Sequence, residues 1–204
     1  MSVEDAHRDA TWVLTVVGGL ALTKALEGVL PALEFSQWTD QNLVLICRFF
    51  TFLVISIRFF IGASIFFNRV HIEPSHAEFP KRNYILDFAS STVLFSLLYL
   101  MALYIPEIPK DAAFLHQRFF IALCAVLLFD WIWYAFSYAF DTREKIFNWA
   151  FVNTIAAGFS LVLYASFHAQ MIARDNFEIY LAIAILVFSF PDSIRVSRGA
   201  LPGD

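Results

Sequence analysis

Three ionisable residues of this chain are set inside runs of apolar side chains: Arg58 in RFFTFLVISIRFFIG (48–62), Asp130 in LLFDWIW (127–133) and Asp87 in YILDFAS (84–90). A guanidinium placed in hydrocarbon costs roughly 2.5–3.5 kcal/mol on insertion scales. A carboxylate at the same depth is its expected relief, because an unpaired buried charge must change its protonation or draw in water. Counting about 1.5 Å of rise per residue puts Arg58 between the levels of Asp130 and Asp87. Asp130 is the first expected partner and Asp87 the second. Such a group can fix a helix bundle, gate an ion path or carry a proton.

A second charged group lies nearer one membrane face. Lys24 and Glu27 stand late in the first apolar window and Arg48 early in the second, at matched depth. Glu27 is the expected partner of Arg48. Lys24 and Glu27 are also one helical turn apart and can pair with each other while their long stems reach for the interface.

The third feature is a stripe. Trp149, Asn153, Ala157, Ser160, Tyr164 and His168 follow spacings of 4, 4, 3, 4 and 4, which places them on one helix face from end to end. Asn153, Ser160, Tyr164 and His168 are its candidate pore-lining or interface residues. Small and hydroxylated residues serve close helix packing more often than they line water, so both uses stand.

Other chemistry finds no foothold. There is no G-x-S-x-G, P-loop or C-x-x-C. His71 and His76, five residues apart with Glu73 and Glu78 beside them, do not match a zinc-ligand spacing. No enzyme activity, metal or cofactor is expected.

The elements that position these residues follow from composition. Of 204 residues, 59% are hydrophobic and 16% charged, against about a quarter charged in a soluble domain, and the mean hydropathy is +0.65. This predicts an all-α, polytopic transmembrane helix bundle forming a single domain over 1–204. Apolar windows fall at about 12–31, 43–67, 83–105, 118–140, 147–171 and 177–195, each near the ~20 residues of a span. The first is interrupted by Lys24 and Glu27, and the last is short before Pro191 and Asp192.

Eight of the fourteen Lys and Arg fall on the side of the N-terminus, the 68–82 loop, the 141–146 loop and the short tail 196–204; three fall on the other side. By the positive-inside rule both termini are cytoplasmic, in an inner membrane. Trp12, Trp38, Trp149, Tyr84, Tyr104 and Tyr180 suit aromatic belts. The N-terminus lacks the basic region of a cleaved signal peptide. Cys47 and Cys124 are expected to be reduced thiols within helices. The net charge of −4 with scattered basic residues gives no nucleic-acid footprint.

Polar half-faces on the second, third and fourth spans, with Thr51, Ser90, Ser91, Trp133, Tyr134, Ser137, Tyr138 and Asp141 beside the charges, are expected to meet a shared interior. The function expected first is a small homo-oligomeric ion channel or pore, gated by a ligand or cytosolic partner at loop 68–82, as a stress or antiviral effector is. The alternatives are a proton-coupled transporter using Asp130 or Asp87 with Arg58, and a non-conducting membrane scaffold.

Overall fold

The computed structural model describes residues 3–33, 39–71, 81–107, 116–138 and 144–197. Among the described residues the chain forms six α-helices and no strand. In hydrocarbon every backbone N–H and C=O must be satisfied within the segment, so an apolar run of this length becomes a helix. The helices α1 (Val3–Val29), α2 (Asp40–His71), α3 (Lys81–Leu103), α4 (His116–Tyr138), α5 (Glu144–His168) and α6 (Arg174–Ser197) lie over the six apolar windows.

Local chemistry sets the ends. Pro31 cannot continue α1, which closes in a 3-10 turn at Leu30–Ala32. The Thr39 carbonyl accepts the Asn42 amide at 3.0 Å as α2 begins, and the Thr39 hydroxyl meets Asn42 Oδ1 at 3.2 Å. α5 ends where the Met171 amide turns back to the Ser166 carbonyl at 2.9 Å. Gln170 there adopts a left-handed φ of 58°, the geometry that glycine takes most easily at a helix C-terminus.

Among the described residues, five helices carry stretches long and apolar enough to cross a membrane: Trp12–Ala32, Asp40–Ser64, Tyr84–Leu103, Arg118–Ala135 and Trp149–His168. The chain is therefore an integral membrane protein. α6 is a helix, but its apolar part, Asn176–Phe190, is shorter than those five.

The helices close a ring. In space the order is α1, α3, α4, α5, α6, α2 and back to α1, with α2 also touching α3. α2 holds the ring together. Its Phe60 and Phe67 meet Phe95 and Tyr84 of α3, Phe66 meets Trp133 of α4, Phe59 stacks on Trp149 of α5, and Arg48 reaches α6. The outward faces are apolar, as on α5, where Phe151, Ile155, Phe159 and Val162 are exposed opposite the polar stripe. Trp12 and Tyr180 also face outward, whereas Trp149 of the expected aromatic belt is buried in the core; Trp38 lies outside the described residues.

Candidate functional site

Arg58, Asn153 and Asp130 come together in the middle of the bundle from three helices. Arg58 is 6% exposed, Asn153 and Asp130 0%. Arg58 Nη1 donates to Asn153 Oδ1, and Asn153 Nδ2 donates to Asp130 Oδ2. The amide stands between the two charged groups with its acceptor toward the cation and its donor toward the anion, the orientation that serves both. Sequence spacing placed Asn153 in a stripe and Arg58 beside an acid. The structure makes Asn153 the bridge between that arginine and that acid.

The arginine is also held from its flanks. Its guanidinium lies 5.9 Å from the Phe59 ring and 5.8 Å from the Trp149 ring, within cation–π range. The Phe59 and Trp149 rings are stacked with centroids 5.3 Å apart. Gly62 makes this possible. A Cβ there would overlap the six-membered ring of Trp149, so only glycine lets the indole lie against α2.

Asp87 is buried on α3 and accepts the Trp133 indole N–H at 2.7 Å. Trp133 and Asp130 are one turn apart on α4, so Asp87 borders the relay through its indole partner. Next to them, Trp131 Nε1 donates to Thr154 at 2.5 Å, which in turn donates to the Ala150 carbonyl at 2.8 Å. α4 and α5 are thus tied at the level of Asn153.

Of the rest of the α5 stripe, Ala157, Ser160 and Tyr164 turn inward and His168 is exposed. Ser160 is buried and donates to its own helix at Ala156, 2.8 Å away. Tyr164 stacks on Phe120 with centroids 4.5 Å apart, and His168 lies edge-on to Tyr164 at the exposed end of the helix.

Arg48 requires a correction. Depth counting paired it with Glu27, but Arg48 Nε donates to Glu178 Oε1 of α6 at 2.8 Å, with the two side chains 1% and 2% exposed. Its Nη1 also donates to the Glu107 carbonyl at 2.9 Å, and its guanidinium lies 5.2 Å from the Phe119 ring. Glu27 instead pairs with Lys24 at 3.3 Å and is 60% exposed. Depth fixed the level and not the direction: Glu27 points away from the bundle, while Arg48 lies on the α2 face that packs on α6. Glu178 was missed because it stands at the first turn of the last window, where a carboxylate is ordinarily solvated. The signal available was its place in FEIY, at the same level as Arg48.

Cys47 and Cys124 are free thiols, both half-buried. No group of three or more metal-ligating side chains occurs among the described residues. His76, Glu73, Glu78, Asp141 and most of loop 68–82 and of the tail lie outside the described residues, as do the side chains of His71, Ser137 and Tyr138.

No family model matches the chain, and no curated protein or solved structure matches it either. The class that fold and site define is a helical integral membrane protein with a hydrogen-bonded Arg–Asn–Asp relay buried in its own bundle.

Proposed function

We propose that this protein moves protons across the membrane through the interior of a single bundle, coupled to a solute or as a conductance. Asp130 is the proton-carrying carboxylate, Arg58 its counter-charge and Asn153 the movable link between them. One observation carries this reading: the Arg58–Asn153–Asp130 relay is enclosed by α2, α4 and α5 of one chain. A pore on an axis shared by several copies needs polar side chains on outward faces, and those of α4 and α5 present Ile121, Ile132, Phe151, Ile155 and Phe159. The relay offers what proton transfer needs, an acid whose charge is balanced by a cation through a linker that can rotate. With both termini cytoplasmic, the Asp87 end of the bundle faces the cytoplasm of an inner membrane.

Homo-oligomeric assembly has separate support. A Cβ at Gly19 of α1 or Gly158 of α5 would meet nothing within 4 Å, so neither glycine is needed by the packing of one chain. Glycine on an outward helix face is where a neighbouring helix approaches closely. A second copy could dock at such a face without sharing the proton path. A cytosolic partner or ligand at loop 68–82 belongs to the same reading.

The test is proton flux in liposomes from purified protein. Wild type is expected to dissipate an imposed pH gradient, and Asp130→Asn to lower the rate at least tenfold. Arg58→Gln is expected to change the rate while the protein remains folded. No flux in wild type under any gradient or potential would leave the relay a structural lock and refute this function.

A further inference from the structure

Resting on the proton-path reading, we infer that Ser91 holds an internal water molecule that joins Asp87 to Asp130, making a second proton station on the Asp87 side of the relay. Ser91 of α3 is 0% exposed, and its hydroxyl has no hydrogen-bond partner in the structure. Ser56 of α2 is in the same state, whereas most other helix hydroxyls are not. Ser64, Thr92, Ser96, Thr154, Ser160 and Ser166 each donate to the carbonyl four residues back, at 2.8–2.9 Å. Ser91 forgoes that bond. A buried hydroxyl left without a partner is costly, and an internal water is the usual remedy where other polar groups lie near.

Register puts those groups near. α3 and α4 pack against each other, run in opposite directions and meet where the Trp133 indole donates to Asp87. Moving one turn along α3 reaches Ser91, and one turn back along α4 reaches Asp130. Ser91 therefore lies at the level of Asp130. Its direction agrees. On α3 it falls between Asp87, which meets α4, and the edge of Tyr84 and Phe95, which meets Phe67 and Phe60 of α2, so it faces the bundle interior.

A water held there has Ser91 and the two carboxyl groups as partners, within the two to four that such a site needs. The transfer balances: the protonated Asp87 gives its proton to the water while the water gives one of its own to the Asp130 carboxylate. Asp87 is left ionised, Asp130 is left as the acid, and the water resets by rotation. The buried charged and polar groups around this station are Arg58 from α2, Asp87 from α3, Asp130 and the Trp133 indole N–H from α4, and Asn153 from α5.

The experiment combines Ser91→Ala and Ser91→Thr, each measured for thermal stability, proton flux in liposomes and infrared titration of the carboxyl bands. Expected are a flux at least tenfold lower in Ser91→Ala and within about threefold of wild type in Ser91→Thr. In the infrared, Asp87→Asn is expected to shift the pH at which Asp130 titrates, and to lose that effect when combined with Ser91→Ala. Normal flux in Ser91→Ala, with a raised Tm from removal of an unsatisfied hydroxyl, overturns the water station and leaves the proton path standing. If wild type carries no protons, the proton path fails and the infrared coupling alone decides: its loss in Ser91→Ala supports the water link, and its persistence overturns it. Should Ser91→Ala not fold, Ser91→Gly takes its place in the same comparisons.

Discussion

At the scale of single residues, the two arginines of RFFTFLVISIRFFIG serve different purposes. Arg48 is matched to one carboxylate, Glu178, with both groups nearly sealed from the surroundings. Arg48→Met leaves that carboxylate buried without its cation and is expected to cost about 3–5 kcal/mol, read from unfolding in detergent. Arg48→Met with Glu178→Leu is expected to regain most of it, since two apolar groups need no compensation there. Arg58 is matched through an intermediary. Asn153→Leu removes both hydrogen bonds at once and is expected to destabilise by about 1–3 kcal/mol and to abolish proton flux in the same preparation. Asn153→Asp tests the polarity of the link: a second carboxylate can accept from Arg58 and cannot donate to an ionised Asp130. That Arg58 needs an internal acid was legible from depth alone. That an amide would stand between them was not, because spacing places Asn153 on a face without saying what the face meets. Glu178 was illegible for a related reason, since a carboxylate at a helix start is ordinarily explained by water.

At the scale of elements, hydropathy located all six helices, because apolar length and backbone satisfaction leave little choice in hydrocarbon. What it could not give was which faces meet. The α5 stripe was legible as a face, and its inward direction came from packing: Gly62 on α2 lets Trp149 close over Arg58. Gly62→Ala is expected to force the indole aside and to cost about 1–3 kcal/mol of stability, with Trp149→Phe in the same chain restoring part of it; thermal unfolding of the three variants measures this. The turn after α5 makes a smaller prediction of opposite sign. Gln170 is held at a φ of 58°, and Gln170→Gly is expected to stabilise by about 1 kcal/mol, seen as a higher Tm.

At the scale of the whole molecule, the helices enclose Arg48, Arg58, Asp87, Asp130 and Glu178 and turn largely apolar faces outward. The ring order, with α2 between α1 and α6, brings Arg58 to Asn153 and Asp130 of the consecutive helices α5 and α4, although it lies on a helix distant from them in the chain. Composition shows that such a chain lives in a membrane. The ring order depends on side-chain shape at each interface, of which Phe59 stacked on Trp149 and Phe66 against Trp133 are examples, and no periodicity encodes it. If one bundle carries the path, a single copy suffices, and the decisive measurement is proton flux in liposomes reconstituted below one copy per vesicle. Vesicles holding a single copy are expected to conduct, with the conducting fraction rising in direct proportion to protein. Flux that vanishes at this dilution and returns with a higher power of protein density would contradict a single-bundle path and place it on an axis between copies.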